Sequence, residues 1–171
     1  PQYISRNDIS EEELAKIKDI TTDSALNDAT TLPKPILNKL LDKAINEKLW
    51  SEDDIQQFEE HKNNMNYVWN FLSDAAKAKL GELAMADKES IVAEKMFAGV
   101  VDGRVSKQLK EICLLDQTYV KAEDGKQSVA KYLESVSKDI VITEMVRFEV
   151  GEGLEKKNED FAAEVAAQAG M

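Results

Sequence analysis

The chain has 171 residues and a formal net charge of −11, with 43% hydrophobic and 32% charged residues. This length suits one ordinary domain with a small appendage, and the composition is that of a folded rather than a disordered chain. The negative charge disfavours binding along a nucleic-acid backbone, and no run of Lys and Arg stands out against it. The apolar runs are too short to predict a membrane span.

Two features of the chain bear on its context. The first residue is Pro1 and no signal-like segment follows it, so we expect a processed chain or a piece of a longer protein. Cys113 is the only cysteine, which excludes an internal disulfide and is compatible with a reducing compartment. Its apolar neighbours predict a small buried side chain rather than a reactive thiol.

The first half of the chain predicts helices. Residues 1–9 look extended, and the capping box in 10–13 (Ser-Glu-Glu-Glu) predicts a helix start at Ser10. Pro33 and Pro35 interrupt that helix, and Ser51 starts another after an amphipathic segment at 37–49. The residues expected to line the inward faces of these helices are Leu14, Ile17, Thr21, Leu37, Leu40, Leu41, Ala44, Ile45, Leu49, Ile55, Phe58, Met65, Val68, Trp69 and Leu72.

A short helix with a loop is predicted over 73–89, and a long helix from about Glu89 to Leu115. The long helix is expected to turn five apolar side chains inward: Val92, Met96, Val105, Leu109 and Ile112.

The pattern changes after Leu115. A loop with a turn at Asp124-Gly125 precedes a short amphipathic helix over 128–136. Residues 139–150 carry the one strong strand signal, and a short helix is predicted from about Asn158 to Ala169. An isolated strand is marginal in water, and only the segments around Tyr3 and Tyr119 can pair with it, so we expect an incomplete sheet.

The residues that could act in catalysis, metal binding or ligand binding are better explained by ordinary structural roles. His61 is the only histidine and lies on a polar helix face, so it is interpreted as a solvated side chain and not a metal ligand. Asp53-Asp54 and Glu59-Glu60 are interpreted as solvated acids, although paired acids can act in acid–base catalysis. An aromatic set is interpreted as packing within the helices in preference to a binding stripe: Trp50, Phe58, Tyr67, Trp69 and Phe71.

Gly151-Glu152-Gly153 follows the predicted strand and raises the possibility of a phosphate loop. Such a loop needs a third glycine or a Gly-Lys-Ser/Thr sequence and a helix that begins at once. Here acidic residues surround the turn and "LEKKNED" follows it. The two glycines are therefore predicted to allow a tight turn with positive φ angles.

Several ordered stretches resemble one protein family. "MVRFEVGEGLEKKNEDFAAEVAAQ" (145–168) is similar to the C-terminal ending of translation elongation factor Ts, and "EICLLDQTYVK" (111–121) to the family's Glu-x-Cys-Leu-Leu-Glu-Gln-Pro-Phe-Val-Lys. Residues 1–20 resemble the start of the family's coiled-coil arm, and "ESIVAEKMFAGVVDGRVSK" (89–107) resembles the returning helix. Thr118 stands where proline is usual, and about 23–87 matches nothing recognised.

The resemblance, with the helix pattern, predicts an α+β chain that is mostly helical. A long antiparallel helical arm or small bundle is attached to a small antiparallel-sheet subdomain, and a short helix ends the chain. The expected parts are an incomplete subdomain (1–9 and 114–156), the arm (10–113, with an insertion at about 23–87) and a C-terminal module (157–171). The family's N-terminal half, including its Thr-Asp-Phe-Val motif, is absent from this sequence.

The resemblance implies a guanine-nucleotide exchange factor that binds elongation factor Tu and promotes GDP release without covalent chemistry. It implies no catalytic residue, metal or cofactor, no nucleic-acid or membrane partner, and a cytoplasmic location or an organellar matrix or stroma. The partner-binding residues carried over are Arg147, Glu149, Gly151, Glu152, Gly153, Asp160, Phe161, Glu164 and Val165. The alternative is that the arm (10–113) is a self-association or adaptor module, forming a bundle or a homodimer, without exchange activity.

Overall fold

A computed structural model of the protein describes residues 1–153, and these residues are mostly helical. The helices are α1 (Glu11–Asn27), α2 (Lys34–Asn46), α3 (Glu52–His61), α4 (Asp74–Ala86), α5 (Lys88–Val92), α6 (Lys95–Ile112) and α7 (Val129–Val136). Short 3₁₀ turns lie at Arg6–Asp8, Ala29–Thr31, Val68–Asn70 and Leu114–Asp116.

Serine side chains begin four of these helices. The Ser10 hydroxyl accepts from the Glu13 backbone N–H at 3.2 Å, and the Glu13 carboxylate accepts from the Ser10 N–H, so the predicted capping box is confirmed. Ser51, Ser73 and Ser128 cap α3, α4 and α7 with the serine bond alone: each hydroxyl accepts from the backbone N–H three residues on.

An antiparallel pair, α1 and α6, forms the arm. At its base Ile9, Leu109 and Cys113 are buried together, and the Tyr3 N–H donates to the Ile112 carbonyl. Along the arm, the buried Thr21 hydroxyl donates to the side-chain oxygen of Gln108 at 3.1 Å. Burial removes the Cys113 thiol from water and raises its pKa, as expected for a packing residue.

The other end of the arm carries a helical bundle that includes α2, α3, α4 and α5. Its core joins the end of α1 and the start of α6 to α2, α4 and α5, so the apolar faces predicted over 37–72 close within this one chain. Trp50 packs edge-on against Phe58 and donates its indole N–H to the Ala76 carbonyl at 3.0 Å. The buried members are Ala25, Leu26, Ala29, Leu32, Ile36, Leu37, Leu40, Leu41, Ala44, Trp50, Phe58, Val68, Leu72, Ala76, Leu80, Ala84, Ile91, Phe97 and Val101.

The long helix predicted from Glu89 to Leu115 is wrong in its first part. The chain breaks between α5 and α6, where Glu94 has an extended backbone (φ −78°, ψ 128°). Val92 and Met96, which were expected to face inward, are largely exposed, whereas Ile91 and Phe97 are buried. Met96 lies within α6, about two and a half turns before Val105, so these two side chains point to opposite faces of the helix.

The small antiparallel sheet is also wrong for the part of the chain that the structure describes. Residues 1–153 contain two isolated bridges, Tyr3 with Cys113 and Thr118 with Ser128, and residues 140–149 have no regular secondary structure. The segment has strand-forming side chains, but residues 1–153 supply no neighbouring backbone to complete a hydrogen-bond ladder.

Asp54 is not the solvated acid that the sequence suggested. Its side chain is buried, and its carboxylate accepts from the Ser51 hydroxyl (2.8 Å), the Ser73 hydroxyl (2.7 Å) and the Ser73 backbone N–H (2.8 Å). Burial by itself would raise the pKa of Asp54, but these donated hydrogen bonds outweigh it and lower the pKa. One carboxylate therefore ties the start of α3 to the start of α4.

We expect Asp54→Ala to destabilise the bundle by about 2 kcal/mol, because it removes the charged hydrogen bonds that Ser51 and Ser73 donate to this buried carboxylate. Urea unfolding followed by helical circular dichroism measures this loss. Asp53→Ala is the matched control, since Asp53 is exposed, and we expect it to change stability little.

The pH dependence checks that the charged form of Asp54 is responsible. Its pKa is lowered on folding, so its stabilisation is fully present above the unfolded value of about 3.9 and is lost as the pH falls through the lower folded pKa. The stability difference between wild type and Asp54→Ala should shrink in that acidic range. A difference that persists unchanged there would contradict the role given to the carboxylate.

Candidate partner-binding surface

The segment over 139–153 presents apolar side chains to solvent. Phe148 is 90% exposed and Val146 is 65% exposed, and Val150 is fully exposed. Contiguous exposed apolar side chains of this size are typical of a surface that another element covers. Within residues 1–153, no side chain of 139–153 is fully buried.

The start of the segment lies against the base of the arm. Ile140 and Ile142 line a groove of about 320 Å³ with Ile4, Leu115 and Leu133. The sequence analysis treated 139–150 as one uniform strand and missed this difference between its two ends. Leu115, in the 3₁₀ turn at Leu114–Asp116, and Leu133, in α7, are apolar residues that could have indicated this groove in the sequence.

Arg147 and Glu149, two of the carried-over binding residues, form an ion pair. The Arg147 Nη2 atom lies 2.7 Å from the Glu149 Oε2 atom, and both side chains are about half exposed. An exposed pair of this kind adds little stability, so the two groups remain available to a partner.

A tight turn follows at Gly151 and Gly153. The Glu152 N–H donates to the Glu149 carbonyl at 3.1 Å, and Gly151 and Gly153 have φ values of +87° and +76°. The positive angles confirm the turn predicted from the glycines, because L-residues with side chains rarely adopt them. This turn presents Glu152 to solvent at the end of the exposed segment.

Four of the carried-over residues lie outside the described part of the chain: Asp160, Phe161, Glu164 and Val165. The helix predicted from about Asn158 to Ala169 lies outside it as well. Over residues 1–153, no group of three His, Cys, Asp or Glu side chains is arranged to hold a metal ion, and no helix there is long and apolar enough to cross a membrane.

His61 and the aromatic set have mixed outcomes. Trp50 and Phe58 are core residues and Trp69 packs partly against the core, as predicted, whereas Tyr67 (62% exposed) and Phe71 stand at the surface. The remaining residue, His61, is half-buried; its ring stacks on Phe71, with centroids 3.5 Å apart, and its Nδ1 atom lies 2.9 Å from the Gln57 carbonyl oxygen.

Within residues 1–153 the chain forms a helical arm with an exposed apolar segment near its base. The family model described as Elongation factor TS matches residues 43–152, more than half of the chain. The chain therefore belongs to the elongation factor Ts family. The match begins inside the segment 23–87 that the sequence analysis regarded as an insertion.

Individual relatives agree with this assignment. The chain is 51% identical over 83 residues to elongation factor Ts of Clostridioides difficile (strain 630), covering 47% of this chain and 26% of the relative. It is 48% identical over 88 residues to that of Acidovorax sp. (strain JS42), covering 52% and 28%. It is 53% identical over 75 residues to that of Acholeplasma laidlawii (strain PG-8A), covering 44% and 24%.

The chain thus matches about a quarter of the length of these curated relatives. No solved structure matches it significantly.

Two phenylalanines test the contrast between core and surface. We expect Phe97→Ala to cost about 3–5 kcal/mol of stability, because Phe97 is 1% exposed in the bundle core. Phe148→Ser should change the stability of the isolated chain by less than about 0.5 kcal/mol, since its ring touches mainly solvent. Denaturant unfolding of both variants measures this, and a large loss for Phe148→Ser would mean that the ring is buried in the free chain.

Proposed function

We propose that this chain is the C-terminal part of a guanine-nucleotide exchange factor that binds elongation factor Tu and promotes GDP release. The observation that carries the proposal is the exposed segment 146–153, which lies in the stretch that resembles the C-terminal ending of the family's members. Membership of the elongation factor Ts family supports the choice of partner.

The proposed work needs binding energy and no covalent step. A factor that binds the nucleotide-free GTPase more tightly than the GDP-bound form weakens GDP binding by the same factor, because the two equilibria are linked. The chain contributes by holding a docking surface in place. A docking role of this kind requires no serine, cysteine or histidine, and residues 146–153 contain none.

The segment offers the two kinds of contact that interfaces combine. Val146, Phe148 and Val150 would supply the apolar centre, where most binding energy is concentrated. Arg147 and Glu149 would supply charged contacts at its edge, beside the rigid turn at 151–153. We assign this segment to the contact with the GTPase's third domain.

The predicted terminal helix completes the proposed surface. The residues carried over there are Asp160, Phe161, Glu164 and Val165, and we assign them to a second contact, with the nucleotide domain. In this division the parts remain the subdomain (1–9 and 114–156), the arm (10–113) and the terminal module (157–171). The proposed activity belongs with ribosomes, in the cytoplasm or in an organellar matrix or stroma.

The arm together with its bundle (residues 10–113) supports a second candidate function. The bundle exposes Tyr67 and Phe71 at its surface, so it could act as an adaptor that binds a partner without exchange activity. A homodimer through the arm is the other form of this candidate, although the bundle already buries its main apolar faces within one chain. Sedimentation that does not change with concentration would remove the dimer.

The test follows release of a fluorescent GDP analogue from elongation factor Tu, with binding measured in parallel. We expect the intact chain to bind, and Phe148→Ser to weaken binding at least about tenfold through loss of a central apolar anchor. A chain truncated before Asn158 should also bind more weakly. We expect little exchange from any form, because no Thr-Asp-Phe-Val motif occurs in this sequence.

Tyr67→Ser is the matched control, since it removes an exposed aromatic ring from the bundle instead of from the segment. Unchanged binding by this variant supports the proposal. If Tyr67→Ser abolishes binding while Phe148→Ser does not, the arm is the docking element. No binding by the intact chain would contradict the proposed partner.

A further inference from the structure

Two tyrosines stack at the surface between the loop after α6 and helix α7. The rings of Tyr119 and Tyr132 are nearly parallel (13°), with centroids 3.9 Å apart, and both side chains are half-buried. They line a depression of about 640 Å³, which is within the range of small-ligand sites. Neither tyrosine has a role in the function proposed above.

Hydrogen bonds hold the loop that borders this depression. The Tyr119 N–H donates to the Gln127 carbonyl at 2.8 Å. The Asp124 carboxylate accepts from the backbone N–H groups of Lys126 and Gln127, each at 2.9 Å, and these bonds lower the pKa of Asp124. Gly125 completes the turn with φ +63°. The loop is therefore shaped before any ligand arrives, which reduces the entropy lost on binding.

Three lysines line the same depression as the stacked rings: Lys121, Lys126 and Lys131. All three are exposed, and none forms an ion pair within residues 1–153, where most ion pairs lie on the arm and bundle. Glu123 and Asp124 also line the depression, so the lysines exceed the acids by one.

The sequence did not reveal this cluster. The lysines are five residues apart, so they form no run in a chain whose net charge is −11. Residues 104–131 nevertheless hold six Lys and Arg against four Asp and Glu, in contrast to the acidic balance of the chain. Folding brings the three lysines together because the loop turns back onto the start of α7.

We propose that this depression binds a nucleoside phosphate, with the phosphate groups on the lysines and the base against the tyrosine pair. Ammonium groups attract phosphate oxygens, and an aromatic ring gives a base a stacking surface. The size of the depression favours a small ligand, and the acidity of the whole chain disfavours a long nucleic acid. This site is separate from 146–153 and does not rest on the proposed exchange activity.

The experiment titrates the intact chain with ATP at low ionic strength, without magnesium, and follows backbone amides by NMR. Inorganic tripolyphosphate and adenosine are titrated in parallel. We expect saturable shifts confined to 118–135, weakened by salt. ATP should bind more tightly than either tripolyphosphate or adenosine. Equal binding of tripolyphosphate and ATP would overturn the base contact, and no saturable shift at millimolar ATP would overturn the site.

Variants locate the binding. Lys126→Ala combined with Lys131→Ala should weaken ATP binding about five- to tenfold, the sum of two exposed charge contacts. Lys107→Ala combined with Lys110→Ala is the matched control, because it removes the same charge from a neighbouring surface and should change binding less than twofold. Equal losses from both pairs would mean non-specific attraction.

Tyr119 tests the aromatic contact. Tyr119→Phe keeps the ring and should retain binding, whereas Tyr119→Leu should weaken it. If Tyr119→Leu changes the NMR spectrum of the whole chain, the variant is misfolded. The comparison of the two lysine double variants then decides the proposal. Full ATP affinity in a well-folded Tyr119→Leu variant would contradict stacking.

Discussion

The packing of α1 against α6 is the constraint on which the rest of the described structure depends. The two ends of this helix pair belong to different cores. Ile9, Leu109 and Cys113 pack together at the base, while Leu26 and Phe97 pack in the bundle core. Either helix alone would be of marginal stability in water. Each gains most of its stability from the apolar face that it buries against the other helix and against the bundle. Base and bundle are therefore coupled through one helical pair.

The arrangement separates stability from recognition. The bundle buries most of its large apolar side chains and satisfies Asp54, the one buried acid within residues 1–153, with three hydrogen bonds. The segment 146–153 does the opposite and leaves Val146, Phe148 and Val150 in water. Apolar area that is exposed in the free chain is available to drive association, so the same side chains that add little to folding are suited to binding a partner.

Local signals made part of this fold predictable. The Ser10 capping box, the helix starts at Ser51 and Ser128 and the glycine turn at 151–153 depend on neighbouring residues, and all are present. The break before α6, the burial of Asp54 and the lysine cluster around Tyr119 depend on contacts between distant segments. The strand expected at 139–150 failed for a related reason, because strand propensity needs a partner backbone that residues 1–153 do not supply.

Hydrogen exchange of the intact chain, alone and with elongation factor Tu, tests the central claim most directly. In the free chain we expect fast exchange over 146–153 and slow exchange in α4 and α6, because the segment lacks a hydrogen-bond ladder and the helices enclose the core. Adding the GTPase should slow exchange over 146–153. Strong protection of 146–153 in the free monomer, or protection gained only in α2–α4 on mixing, would contradict the account.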